Sequence, residues 1–224
     1  GLAGLGPARH RSGMTDPAVP EPPWAADLPK PPAWRSTRET PVFENPWMRL
    51  IRYQAVAPSG ADTEYTVMRP KNVATGVLPI HDDGAVVLVG QQRFARMNYS
   101  WEMPEGGAEP GEDPAQGVRR ELAEEAGLIA DSWSAPMVVE LSNSITDEVA
   151  HTWIAWDLRP SARTAADATE VLAVVRAPFR QVLDAIGRGA VWDVMTIAAV
   201  YRAYHMAREG LLPPALARAM LEGV

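Results

Sequence analysis

The chain has 224 residues, 46% hydrophobic and 22% charged, with a net charge of −7 and no cysteine. This is the composition of a soluble globular protein. It excludes a disulfide framework, a thiolate metal site and a thiol nucleophile, and it argues against sequence-independent nucleic-acid binding, which needs a basic surface. The length allows one ordinary domain with a tail or a small accessory sheet. No run approaches the ~18 consecutive apolar residues of a membrane span. The N-terminus lacks the compact apolar segment of a secretion signal. A cytoplasmic protein with neither membrane nor nucleic acid as partner is expected.

Residues 1–40 are rich in proline, alanine and charge, as in "PAVPEPPWAADLPKPPAW". Such a segment buries too little apolar area to offset its ordering entropy, so it is expected to be a flexible tail. Trp24 and Trp34 could still pin it to a surface. Met14 is a candidate natural start, leaving residues 1–13 as a vector remnant or an upstream extension. From Pro41 short apolar runs alternate and break at "PSG", a hairpin signal. Two further strands flank the turn "HDDG", and the uniformly apolar run 85–89 fits a strand buried on both faces. Strands are also expected in "APMVVELSNS", "VAHTWIAWDL" and "VLAVVRAP", with "PSARTAADATE" a polar loop. "FRQVLDAIGRG" places Phe179, Val182, Leu183 and Ile186 at helical spacing. "WDVMTIAAVYRAYHMARE" predicts a longer helix that stops near Gly210. Strands before, between and after helices predict an α/β layered domain.

The segment "WEMPEGGAEPGEDPAQGVRRELAEEAGLIA" is unusually acidic. Asp113 followed by Pro114 starts a helix, Gln116 completes a capping-box pattern, and Gly127 suits its end, so the helix is expected over 114–126. On a helical wheel Ala115, Val118, Leu122 and Ala126 form the apolar stripe, and Glu125 projects within about 20° of Val118. Glu121, Glu124 and Glu125 are like charges crowded at the margin of that stripe, which is costly without a compensating cation. The residues alone leave two readings. One is a solvated acidic face with Arg120 paired to Glu124. The other is a divalent metal site, whose oxygen donors suit Mg²⁺ or Mn²⁺ rather than zinc. The glycines of "EGGAEPGE" can bring backbone groups close to a ligand, as a phosphate-handling loop requires. Spacing alone does not separate a hydrolase from a nucleotide-binding module.

Gly106, Glu112 and the run Arg120-Glu121-Leu122-Ala123-Glu124-Glu125-Ala126-Gly127-Leu128 occupy every fixed position of the Nudix box, and the sequence resembles the Nudix hydrolases. "VFENPWMRLIR", "VLVGQQRF", "WEMPEGG", "SNSITDEVAHTWIA" and "GAVWDVMTIAAV" are similar to segments of the ADP-ribose pyrophosphatase branch. The resemblance spans residues 41 to 205. It implies a Nudix fold, an α/β/α arrangement with a mixed, curved β-sheet between helices. The accessory antiparallel sheet would occupy 41–72, the hydrolase domain 73–210 and a C-terminal extension 211–224. It implies a homodimer whose accessory sheets help build the partner's site, and a requirement for Mg²⁺, with Mn²⁺ as a substitute. The implied reaction is water attack on phosphorus in a nucleoside diphosphate joined to a second moiety, ADP-ribose or a related nucleotide sugar.

By position, the resemblance implies that Glu121 and Glu125 are the principal metal ligands. Glu124 and a backbone carbonyl at Glu105 or Gly106 would contribute. Arg120 would orient a glutamate and Glu112 would support the loop. Arg93 and Gly107 would lie against the substrate. The catalytic base would come from outside the box, with Glu170 preferred and Glu148 as a substrate or metal-water contact. One departure stands out: Ser142-Asn143-Ser144 replaces a proline typical of ADP-ribose hydrolases, which keeps the chemistry but leaves the sugar open. A GDP-sugar or dinucleotide hydrolase, and a nucleotide sensor without turnover, are the alternatives. Intact box glutamates favour an enzyme. His151 is read as strand alternation and His81 as a solvated turn.

Overall fold

The structure is a computed structural model, which describes residues 22–162 and 171–223. It divides into two compact units, Gly1–Arg69 and Pro70–Val224.

In the first unit, β1 (Arg35–Glu44), β2 (Met48–Val56) and β3 (Asp62–Pro70) form a three-stranded sheet in that order, with β1 and β2 antiparallel. The turn between β2 and β3 falls at the "PSG" break. Ordered strand begins at Arg35, inside the segment read as tail. Trp34 meets Tyr65 edge-on with ring centroids 5.6 Å apart, while Trp24 stays exposed. Alternate residues Ile51, Tyr53 and Ala55 of β2 are buried, the two-residue period of a half-buried strand.

The second unit is a layered α/β structure. Its central mixed sheet runs β7 (Glu105–Ala108), β4 (Val73–Pro79), β10 (Val149–Pro160), β8 (Leu128–Trp133), with β9 (Met137–Glu140) also paired to β10. β4 and β10 are parallel, and the other pairings are antiparallel. A smaller antiparallel sheet runs β11 (Ala173–Pro178), β5 (Ala85–Arg93), β6 (Asn98–Glu102). The helices are α1 (Pro114–Ala126), α2 (Phe179–Gly187), α3 (Val194–Arg208) and α4 (Pro214–Glu222).

Strand alternation decides which layer each side chain joins. Val77 of β4 and Trp153 and Ala155 of β10 pack with Val118 and Leu122 of α1. Their neighbours Leu78 and Ile154 point the other way. There they join Val86 and Leu88 of β5, Phe179 of α2, Val200 and Ala203 of α3, and Leu216 and Met220 of α4. The central sheet is therefore covered on both faces. Each fully buried Val or Leu contributes about 1.5–3 kcal/mol. Residues 85–89 are all buried, as the uniform apolar run predicts. No helix among the described residues is long and apolar enough to cross a membrane.

Candidate active site

Helix α1 begins and ends as its sequence dictates. The Asp113 carboxylate accepts from the Ala115 N–H, and Gly127 closes the helix at φ +64°, a conformation that favours glycine. Burying Val118 and Leu122 turns Glu125 inward, where it is only 6% exposed. Its Oε2 accepts from the backbone N–H of Glu105 at 2.9 Å, which stitches the helix to β7.

Arg120 spans the other acids. Its Nη1 donates to Glu121 Oε1 at 2.8 Å and Glu124 Oε2 at 3.1 Å, and its Nη2 donates to the Gly107 carbonyl at 3.1 Å. Glu112 lies 3.6 Å away and also accepts from the Glu109 N–H, closing the loop before α1. Burial works against the Arg120 charge, but the charge of Glu121 and the bonds to Glu124, Glu121 and Glu112 outweigh it and hold its pKa above the usual arginine value.

Strand β7 has two chemically different faces. At Gly106 a Cβ would sit 2.3 Å from the Glu121 carboxylate, so only glycine fits without displacing it. The Gly106 carbonyl accepts from Thr75 Oγ1 at 3.3 Å. One residue earlier, the Glu105 side chain meets Arg93, whose Nη2 donates to Glu105 Oε1 at 2.9 Å. Arg93 Nε also donates to both oxygens of Glu102, at 2.9 and 3.0 Å, and Gln91 adds a bond to Glu102 at 3.2 Å. Burial opposes the Arg93 charge, yet the bond to Glu102 and the charges of Glu102, Glu105 and Asp193 keep its pKa raised.

The second oxygen of Glu105 is buried and meets no hydrogen-bond donor among the described residues. Burial, first, and then the charges of Asp193, Glu102 and Glu125 push the Glu105 carboxyl well above the usual range, against the pull of Arg93. An acid with a raised folded pKa adds stability below its unfolded pKa and loses it as pH climbs through the folded value. Glu105→Gln is therefore expected to raise the Tm of the metal-free protein by about 3 °C at pH 8 and to change it little at pH 4. Calorimetry at the two pH values checks this, and equal shifts would contradict it.

A cavity of about 390 Å³ opens beside these residues. Thr75, Arg93, Glu102, Glu105, Gly106, Glu148 and Asp193 are among those that line it. Asp193 caps α3, accepting from the Thr196 N–H at 2.6 Å. Thr196 Oγ1 in turn accepts from the Met103 N–H at 2.8 Å, tying the start of α3 to the turn between β6 and β7. Glu148 is pushed upward by burial and then by Asp147. Of the residues singled out from sequence, the structure brings together Arg93, Glu105, Gly106, Glu148 and, through Glu105, Glu125. Glu121, Glu124 and Gly107 gather around Arg120. Glu170 lies outside the described residues. Glu102 and Asp193 were missed. The cap pattern of Asp three before Thr196 was the available signal for Asp193. Among the described residues no three acidic or imidazole groups already converge as a ready cation cage.

The NUDIX domain model matches residues 70–189, over half of the chain, and the chain belongs to this family. Two relatives and one solved structure are similar to this chain. The ADP-ribose pyrophosphatase of Bacillus subtilis (strain 168) is 26% identical over 160 residues, covering 71% of this chain and 86% of that one. The methanol dehydrogenase activator of Bacillus methanolicus is 27% identical, with the same coverage. A solved structure described as an ADP compounds hydrolase shares the fold with a TM-score of 0.70 at 21% identity, covering 82% of this chain and 96% of that one. The chain is a Nudix hydrolase, similar to the ADP-ribose pyrophosphatase-like branch.

Proposed function

We propose that this Nudix hydrolase cleaves the diphosphate of a nucleoside diphosphate-X substrate, ADP-ribose or a related nucleotide sugar, with Mg²⁺ as cofactor. The products are a nucleoside monophosphate and a phosphorylated moiety. The seam between α1 and β7 carries this reading. There Glu125 is buried against the Glu105 amide, and the missing side chain of Gly106 gives the Glu121 carboxylate the room it occupies against β7.

The groups that meet at this seam, the Glu121 and Glu125 carboxylates and the β7 backbone carbonyls, offer only oxygens, so the residues fit a hard divalent cation. Glu121 and Glu125 would hold it, with Glu124 and the carbonyl of Glu105 or Gly106 contributing. When bound, the ion neutralises the diphosphate and lowers the pKa of its water. Arg120 holds Glu121 and Glu124 side by side, which offsets their repulsion and keeps both oriented. ADP-ribose as substrate is supported by the similarity to the Bacillus subtilis enzyme. The same reading includes a cytoplasmic homodimer, checked by sedimentation velocity.

Glu148 is assigned the proton acceptor for the attacking water on its place in the cavity lining, whereas the family resemblance prefers Glu170 for that role and takes Glu148 as a substrate or metal-water contact. Its raised pKa brings it nearer the operating pH, where a general base works best. A base must be ionised, so kcat/KM is expected to fall as pH drops through a Glu148 pKa above the ordinary glutamate range. Glu148→Gln should cost about 100-fold in kcat and flatten that acid limb. An acid limb that survives in Glu148→Gln and disappears in Glu170→Gln would transfer the role.

The substrate test is a panel of ADP-ribose, ADP-glucose, GDP-mannose, NADH and dinucleoside polyphosphates with Mg²⁺, products separated by chromatography. Preferred cleavage of ADP-ribose supports the reading. Preferred cleavage of another member keeps the chemistry and replaces the substrate. Binding of the panel without turnover of any member would overturn the hydrolase.

A further inference from the structure

The cavity beside β7 is lined by carboxylates and also by the apolar side chains of Ala74, Leu141, Val194 and Met195, but by no aromatic ring on which a nucleobase could stack. Glu102, Glu105, Glu148 and Asp193 all line it, and Arg93 is already committed to two of them. An aromatic surface for the base has therefore to come from beside the cavity rather than from its lining.

One such surface is built there. Trp192 immediately precedes Asp193, and Arg96 follows Arg93 by three residues in the β5–β6 turn. The Arg96 guanidinium carbon lies 5.4 Å from the centroid of the Trp192 ring, joining two elements that flank the cavity. The indole N–H donates to the Gly189 carbonyl at 2.5 Å. Trp192 is thus held at its edge and by a cation, yet 61% of it is exposed. A large aromatic that is fixed in place and left open to solvent is a preorganised stacking surface, because its ordering cost is met before a ligand arrives. Arg96 has no carboxylate partner among the described residues, unlike Arg93.

We propose that Trp192 and Arg96 form the nucleoside subsite of this enzyme: the base stacks on the Trp192 ring, and Arg96 pairs with the phosphate attached to that nucleoside. This rests on the hydrolase reading above and assigns it a specificity element. Stacking of a base on an aromatic ring predicts a large effect from one truncation.

The test compares Trp192→Ala, Trp192→Phe and Arg96→Gln in full-length protein. Trp192→Ala is expected to raise KM about tenfold or more with a much smaller change in kcat, and Trp192→Phe should recover most of the loss. Calorimetry with AMP and with adenosine separates the two roles without turnover. Trp192→Ala should weaken both ligands, whereas Arg96→Gln should weaken AMP and leave adenosine nearly unaffected. Unchanged KM and AMP affinity in Trp192→Ala, with wild-type turnover intact, overturns the subsite and leaves the hydrolase standing. Absence of wild-type turnover overturns the hydrolase, and AMP calorimetry then decides the subsite by itself. A shift in sedimentation of Trp192→Ala with unaltered AMP affinity assigns the ring to contact between copies and also overturns the proposal.

Discussion

Glu125→Gln is expected to lower kcat on the order of 10³-fold while the protein stays folded. Glutamine keeps the size of the side chain and an oxygen that can accept from the Glu105 N–H, so the seam between α1 and β7 survives. What it loses is the negative charge at a position only 6% exposed. Without metal, removing a buried carboxylate from a crowd of like charges relieves repulsion. The metal-free Tm of the variant should therefore match or exceed that of the wild type. Mn²⁺ affinity measured by calorimetry should fall in parallel with kcat. Near-normal turnover, or loss of activity with normal Mn²⁺ affinity, would remove Glu125 from the metal site.

Gly106→Ala is the second large effect, and it separates folding from function. The three atoms nearest an added Cβ are the carboxyl carbon and two oxygens of Glu121, at 2.3, 2.3 and 2.8 Å. They form the far end of a flexible side chain, which can swing away at small cost to stability. The displaced carboxylate, however, is one of the groups assigned to the metal, and misplacement by about 1 Å can cost about 100-fold in rate. The expected result is a Tm within about 3 °C of wild type with kcat reduced about 100-fold. Equal activity in the two proteins would show that the position of Glu121 is immaterial. Gross unfolding would show that the backbone, and not the carboxylate, is what the glycine protects.

These effects were partly legible in the sequence. The cap, the apolar stripe and the closing glycine of α1 are local patterns, and the helix runs over the residues they predict. The inward turn of Glu125 followed from its angle to Val118. The glycine-rich segment was harder. It reads as loop because glycine lowers strand propensity, yet Glu105–Ala108 is a strand paired with β4. Its glycines answer to neighbours remote in sequence, Gly106 to Glu121 and Gly107 to Asn72.

Arg93 shows the same limit from another side. Its segment pointed to the substrate, but its side chain is held by Glu102 and Glu105, partners that only the β5–β6 pairing and the β6–β7 turn bring near. Asp193 reaches this cluster from α3, far along the chain, so no local pattern joins it to Glu105. Residues 211–224 carried no strong signal, though Leu216, Ala217 and Met220 of α4 enter the main core. Their three- and four-residue spacing is helical but too short to stand apart from a loop on its own.

The central claim, that this chain breaks a phosphorus–oxygen–phosphorus bond, is most directly tested by ³¹P NMR of ADP-ribose incubated with the protein and Mg²⁺. The two diphosphate resonances should disappear together and be replaced by two phosphomonoester resonances, those of AMP and ribose 5-phosphate, at a rate that collapses in Glu125→Gln. Diphosphate resonances that persist at saturating protein, in this compound and in the other members of the panel, would contradict it.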